Sequence, residues 1–408
     1  MRRYGVVAAV AFGWMCSTAS ASAESIGIDD TKIKLATTAA ITGSLAAVGM
    51  VADGMELKFK AVNAAGGVKM GDGKTRKIEF VISDDAGEPP RALNNVRRLI
   101  EQDRIFALVG VSGTVQNQAI RPFISRRNVP NLFVYSGVYE FSDEKLNPMS
   151  TPFVPSFTTE SAIYAEYLKR TKPNAKVGIL YANTDFGQNF LAGFKEAIKG
   201  SNIILSEAQP NNSSDPTVDT QLTNLRASGA DTLIVASLPK SAAQSVRFAS
   251  ESGWKPLVMI TYAASSPIAL KPAGIENLQG VVTGQFMKPI ASKEFADDAG
   301  VKRYLAAYET FKPRFDRGDT LGQMGYLIAD GVISVLQSMK EPTREAMLDA
   351  ARHMKNVELD LLLPTITLST TGREDPFPIE AMQLFVFTGE RYAPTGETVN
   401  YEGKTPKL

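Results

Sequence analysis

Residues 105–124 read IFALVGVSGTVQNQAIRPFI. A short apolar run ends at Gly110, passes through Ser112, Gly113 and Thr114, and continues into a segment with helical spacing. An apolar run of this length, bounded by glycine, reads as a strand buried on both faces. A strand that stops in small hydroxyl residues where a helix begins is a place to hold an anion. The loop can hold a phosphate, a reacting carbonyl or a carboxylate, or it can serve only its own helix, with Thr114 as the N-cap.

The same unit recurs along the chain. Apolar runs lie at 33–39, 77–83, 129–136, 176–182, 231–238, 256–262 and 280–286. Amphipathic segments at 54–65, 90–103, 161–170, 189–199, 218–227 and 241–252 separate them. Strand–helix alternation predicts an α/β fold of parallel sheets flanked by helices. With 408 residues the chain exceeds what one core usually serves, so two domains are expected. TPFVPSF (151–157) interrupts the alternation with two prolines and precedes a fresh strand–helix series, as a crossover between lobes would.

Composition narrows the class. Lys+Arg number 44 against 43 Asp+Glu, with no long basic run, so nucleic-acid binding has no electrostatic support. Arg2 and Arg3, an apolar stretch over 4–15 and Ala21-Ser22-Ala23 form a signal peptide (residues 1–23) cleaved before Glu24. A lipoprotein would instead begin at Cys16, but Gly13-Trp14-Met15 ahead of it match a lipidation signal poorly. Cys16 is the only cysteine, so the cleaved chain has neither disulfide nor thiol chemistry. No later stretch reaches the ~20 apolar residues of a membrane helix.

The chemistry then runs out of candidates. There is no GxxxxGK[ST], and no GxGxxG follows a strand, so nucleotide binding lacks a motif. Gly110–Thr114 approaches the GxSxG nucleophile elbow, but Thr114 stands where the last glycine belongs. The one histidine, His353, sits in a late helical segment. One histidine and no HExxH leave no metal chemistry, and no cofactor is called for. What remains is binding at the carboxyl ends of strands. The loops there are rich in hydroxyls and aromatics: Ser112-Gly113-Thr114, Tyr135-Ser136-Gly137, Tyr181 to Gly187, and Thr261-Tyr262-Ala263. Taken with the neighbouring loop at Ser136, the Ser112–Thr114 loop reads as half of a shared anion site.

At this point the chain resembles the type I periplasmic solute-binding proteins of the leucine/isoleucine/valine-binding kind, which feed ABC transporters. The resemblance begins with IKLATTAAITGSLAAVGMVADGMELKFKAVNAAGGV (33–68). It continues through KIEFVISDD (77–85), GVSGTVQNQAI, VPNLFVYSG (129–137), NTDFGQ (183–188) and GQMGYLIADGVISVL (322–336). It implies two Rossmann-like lobes joined by a three-segment hinge, with one ligand between them and no catalytic activity. Lobe one would take 24–153 and 287–378, and lobe two 154–286 and 379–408. The protein would act as a periplasmic monomer that delivers its ligand to permease subunits in the inner membrane. A ligand sensor, or an amide or urea binder on the same fold, is the alternative.

Carried over, the resemblance places the ligand carboxylate on Ser112, Thr114, the Ser136–Gly137 loop and Val138, with Val48 lining the cleft. Phe186 stands where the family usually has a tyrosine against the ligand. In amino-acid binders the loop at Tyr262 supplies an acid for the ligand ammonium, yet MITYAASSP (259–267) contains neither Asp nor Glu. Asp185 is the one substitute, if it does not merely cap its helix. A buried ammonium without a partner is costly. Tyr135, Tyr181, Phe186, Tyr262 and Tyr326 would instead make an aromatic-rich cleft suited to an aromatic or other apolar carboxylate, with branched-chain or other amino acids as the alternative.

Overall fold

The computed structural model describes Met1, residues 26–43 and residues 45–407. The expected signal peptide, with Cys16, lies outside the described residues. In chain order the first series is β1 (Lys32–Ala39), α1 (Met50–Ala64), β2 (Val68–Lys69), β3 (Thr75–Asp84), α2 (Pro89–Glu101), β4 (Ala107–Val109), α3 (Thr114–Arg127), β5 (Asn131–Val134) and β6 (Ser150–Pro152). The second is α4 (Phe157–Thr171), β7 (Lys176–Ala182), α5 (Asp185–Ala197), β8 (Ile204–Asn211), α6 (Asp219–Ala227), β9 (Thr232–Ala236), α7 (Pro239–Glu251), β10 (Leu257–Ile260) and β11 (Val282–Gln285). Then come α8 (Ala299–Phe311), α9 (Thr320–Ser338), α10 (Arg344–Arg352), β12 (Ala381–Thr388) and β13 (Arg391–Asn400).

Two sheets result, ordered β2-β3-β1-β4-β5-β6 and β13-β12-β11-β10-β9-β7-β8. The central strands are parallel, and their runs are apolar on both faces because helices cover both. Among the named strands of the described residues, antiparallel pairing occurs at β2–β3 and along the β11–β12–β13 edge, with isolated antiparallel bridges such as Met287–Leu362 besides. The chain passes between the sheets after β6, after β11 and before β12. At the second passage Lys288 donates its amide to the Leu361 carbonyl at 2.8 Å, and Leu363 donates to Phe286 at 2.9 Å. No helix among the described residues is long and apolar enough to cross a membrane.

Strands with an apolar run match the sequence reading closely, but β8 and β13 do not announce themselves. Both lie at the edge of the second sheet, and their residues (ILSEAQPN and RYAPTGETVN) are largely half-exposed or exposed. Edge strands need no continuous apolar run.

Glycine decides how α9 joins the first sheet. A methyl group on Gly54 would meet the Gly322 carbonyl oxygen at 1.9 Å, and one on Gly325 would meet that of Val51 at 1.9 Å. The backbones of α1 and α9 therefore touch, as only glycine permits. This contact sets the α9 N-terminus, which Asp319 caps through the amides of Leu321 and Gly322, beside the gap between the sheets.

Candidate functional site

The carboxyl ends of the two parallel sheets enclose a cavity of about 330 Å³. The first sheet contributes Ala40, Leu45 and Val48 after β1, Asp85 and Gly87 after β3, Ser112–Gln116 after β4, and Tyr135 and Ser136 after β5. The second contributes Ala182–Thr184 and Phe186 from the end of β7 onward, Asn211–Ser213 from the end of β8 onward, Ser237–Pro239 after β9, and Tyr262 and Ala263 after β10. Phe157, Val154 and Leu321 complete the lining.

One end of the cavity is built for hydrogen bonding. Pairing of β4 with β5 extends to a Ser112–Tyr135 bridge, so both strands stop at the same level. Tyr135 donates its amide to the Val111 carbonyl at 3.1 Å, and Gly113 donates to that of Tyr135 at 3.2 Å. The hydroxyls of Thr114 and Ser136 then meet at 2.8 Å. Gly113, at φ 94°, is the N-cap of α3, and no side chain caps this helix. Thr114 is its first residue, so the capping role considered from the sequence does not hold. The amides of Thr114, Val115 and Gln116 have no partner among the described residues, as expected for a first turn. The buried Ser112 hydroxyl is likewise unpaired. Asn117 braces the loop from behind, donating to the Val111 and Gly113 carbonyls at 2.9 and 2.7 Å.

The opposite wall is aromatic. Phe157 and Phe186 pack with ring centroids 4.3 Å apart. Phe157 stacks on Tyr262 at 6.1 Å, and Tyr262 meets the edge of Phe286 at 5.4 Å. Tyr262 is committed to the scaffold: its hydroxyl donates to the Pro155 carbonyl at 3.2 Å and its amide to Glu160 Oε1 at 2.7 Å. Glu160 is fully buried beneath it, its other oxygen has no partner, and burial pushes its carboxyl up to about 8.

Among the lining residues only Asp85 carries a carboxyl group. Thr38 donates to its Oδ2 at 2.8 Å and the Gly87 amide to its Oδ1 at 2.8 Å. Burial raises its pKa above the ordinary aspartate value despite both bonds. The second-sheet side offers neutral groups: Ser237 donates to Asn211 Oδ1 at 2.9 Å, and Asn211 donates onward to Ser241 at 2.9 Å.

Seven of the residues expected from the sequence line this cavity: Val48, Ser112, Thr114, Tyr135, Ser136, Phe186 and Tyr262. Gly137 and Val138 sit behind it. The Gly137 carbonyl accepts from the Phe157 amide at 2.8 Å, and the Val138 amide donates to Ser136 Oγ at 3.4 Å. Three more of the expected residues do not line the cavity. Tyr181 lies within β7 and does not line the cavity; the three residues after it do. Asp185 turns to Gln118, accepting from its Nε2 at 2.7 Å, and so links α5 to α3 outside the lining. Tyr326 is buried on α9, its hydroxyl donating to Asp360 at 3.1 Å and its ring lying 4.6 Å from Lys58 Nζ. The close α1–α9 contact turns it into that ionic cluster and away from the cavity.

Sequence reasoning overlooked Asp85, Gln116, Phe157 and Asn211. The signal for Asp85 was present, since DDAG directly follows an apolar run. One acidic group away from the cavity has metal-ligand spacing: carboxylate oxygens of Asp375, Glu380 and Glu402 lie within 4.8 Å of one another. Burial and shared hydrogen bonding with Asp375 push Glu380 up to about 8, and burial pushes Glu402 up to about 7. Both Glu380 oxygens already accept hydrogen bonds, from the Gly403 amide at 2.7 Å and from the Thr405 hydroxyl.

Known proteins resemble the chain over most of its length. The sequence profile described as "Periplasmic binding protein" matches residues 32–390. The Leu/Ile/Val-binding protein homolog 7 of Brucella abortus is 23% identical over 291 residues, 68% of this chain and 70% of that protein. Homolog 8 of the same organism is 27% identical over 231 residues, 54% of this chain and 55% of its own. Among solved structures, a branched-chain amino acid ABC transporter protein from Thermus thermophilus with bound valine superposes with a TM-score of 0.79 at 16% identity, covering 91% of this chain and 97% of its own. A fatty acid ABC transporter substrate-binding protein from Thermomonospora curvata gives 0.75 at 22% identity, covering 93% and 94%. At such identities these two establish the fold, that of type I periplasmic binding proteins.

Proposed function

This chain belongs to the periplasmic binding protein family, and we propose that it captures a small apolar carboxylate, aromatic ones foremost, between its lobes and delivers it to an ABC importer. The observation that carries this reading is the asymmetry of the cavity. Ser112, Thr114, Ser136 and the open first-turn amides of α3 stand at one end, facing a wall of Phe157, Phe186 and Tyr262. Hydroxyls and helix N-terminal amides hold a carboxylate without a cationic side chain. The aromatic rings favour a flat apolar body. The volume suits a single small molecule. The Ser112–Thr114 end, Val48, Tyr135, Phe186 and Tyr262 would make the contacts, joined by Asp85 and Phe157. The cleaved protein would work in the periplasm as a monomer, handing its ligand to permease subunits.

A second reading rests on Asp85. As the one acid at the cavity, it could pair with the ammonium of an amino acid such as valine, the ligand of the Thermus relative. Against it, both Asp85 oxygens already accept hydrogen bonds and burial disfavours its charge. A thermal-shift screen separates the two. Benzoate-like acids should raise the melting temperature and leucine, isoleucine and valine should not; the reverse pattern would replace the first reading with the second.

A further inference from the structure

A second cavity, of about 380 Å³, lies at the β11–β13 edge of the second sheet. Phe385, Phe387 and Tyr392 line it from β12 and β13, Met287 and Ile290 from the chain after β11, and Ile268 from the loop after β10. A third, small space of about 10 Å³ shares Gln285 and Thr320 with this cavity and Tyr262 and Leu321 with the cleft. That is room for about one water, too little for a carbon chain. Gln285 borders this space and donates to Ser265 Oγ at 2.9 Å. The second cavity is therefore a compartment of its own.

Its charge is uneven. Lys271, Lys288, Arg391 and Glu390 reach it. Lys288 is buried and already committed to Asp298 at 2.9 Å and the Asp360 carbonyl at 3.0 Å. The exposed Lys271 side chain has no ion pair among the described residues, and exposed Arg391 makes only a 3.4 Å bond to the Ala291 carbonyl. Two uncommitted cations thus stand at an aromatic and aliphatic chamber, against one acid. Tyr392, 8% exposed, also keeps a buried hydroxyl without a partner. We propose that this compartment binds an apolar anion, a carboxylate or sulfonate on an aromatic or aliphatic body, independently of the cleft. The body packs on Phe385, Phe387 and Met287, and Lys271 with Arg391 holds the charged head. The proposal does not rest on the ligand class of the cleft.

The test uses the whole chain and 8-anilinonaphthalene-1-sulfonate, an apolar anion whose fluorescence rises on burial. The wild type and a Ser112→Ala/Thr114→Ala variant should both bind it. Adding Lys271→Glu/Arg391→Glu to the Ser112→Ala/Thr114→Ala variant, in which the cleft's anion site is gone, should weaken binding about tenfold or more. Lys271→Arg/Arg391→Lys should keep the affinity, and unliganded melting temperatures should show that every variant folds. Equal affinity in the charge-reversed variant, no binding by the wild type, or complete loss in the Ser112/Thr114 variant would each overturn the proposal. Failure of the cleft reading shows separately, as absence of a benzoate shift in the wild type.

Discussion

Thr114 Oγ1 and Ser136 Oγ meet at 2.8 Å, joining the loops that end β4 and β5 at the start of α3. Neither hydroxyl caps the helix, because Gly113 occupies that position with a backbone angle that favours glycine. The pair stands beside unpaired amides and the unpaired Ser112 hydroxyl, on the lining of a cavity. Its arrangement suits a bound acceptor more than the needs of the helix.

Ser112→Ala combined with Thr114→Ala should therefore leave the fold intact and impair binding. Each hydroxyl bond to a charged group contributes roughly 1.5–3 kcal/mol. Together their loss should weaken a cognate carboxylate by at least ~100-fold in calorimetric titration. Since no side-chain cap is removed, the unliganded melting temperature should change little. Unchanged affinity would show that the carboxylate sits elsewhere.

Asp85→Asn distinguishes the two ligand classes. Asparagine keeps an acceptor for the Gly87 amide and removes the one acid at the cavity. An apolar carboxylate should bind as well or better, because a like charge is gone. An amino acid would lose its ammonium partner, a loss of several kcal/mol in a buried site. A large drop in carboxylate affinity, measured by the same titration, would contradict the assignment.

Much of this was legible before the structure. Apolar runs marked the buried strands, and the loops that close most of those strands reach the cleft. Ser112, Thr114, Ser136 and Tyr262 stand on those loops and line the cavity. Phe157 was hidden because it belongs to the crossover, not to a strand end. Asn211 was hidden because its strand, β8, is a half-exposed edge without an apolar run. Tyr326 lies off the cavity, and helical spacing alone does not say which face of α9 meets α1. That is fixed by backbone contact at Gly54 and Gly325, 271 positions apart.

Glu160 gives the protein a predictable pH dependence. Its carboxyl is pushed up from the ordinary 4.5 to about 8 by burial, so the folded state holds this proton more tightly than the unfolded chain. The stability it contributes is complete below about pH 4.5 and is lost as pH rises towards 8. Glu160→Gln retains an acceptor for the Tyr262 amide and has no proton to lose. Urea unfolding should find the variant similar to wild type at pH 5 and more stable at pH 8.5. Parallel pH profiles would show that Glu160 is not the group responsible.

The aromatic wall can be tested by Phe186→Leu, which keeps an apolar side chain but removes the ring packed on Phe157 at 4.3 Å. An aromatic pair adds ≈ 0.5–1.5 kcal/mol beyond burial, so affinity for an aryl carboxylate should fall about 2- to 10-fold. Affinity for an aliphatic acid of similar size should fall less. Equal losses for both would mean that Phe186 contributes area alone.

The most direct test of the central claim is a melting-temperature series on matched ligands: an aryl carboxylate, its amide, its methyl ester, and leucine, isoleucine and valine. A ligand at 100 times its dissociation constant stabilises the folded state by about 2.7 kcal/mol, a rise of a few degrees for a chain of this size. The acid should give that rise, and the amide, the ester and the three amino acids should give none. A rise with the amino acids and none with any acid lacking an ammonium would contradict the account and transfer the site's second charge to Asp85.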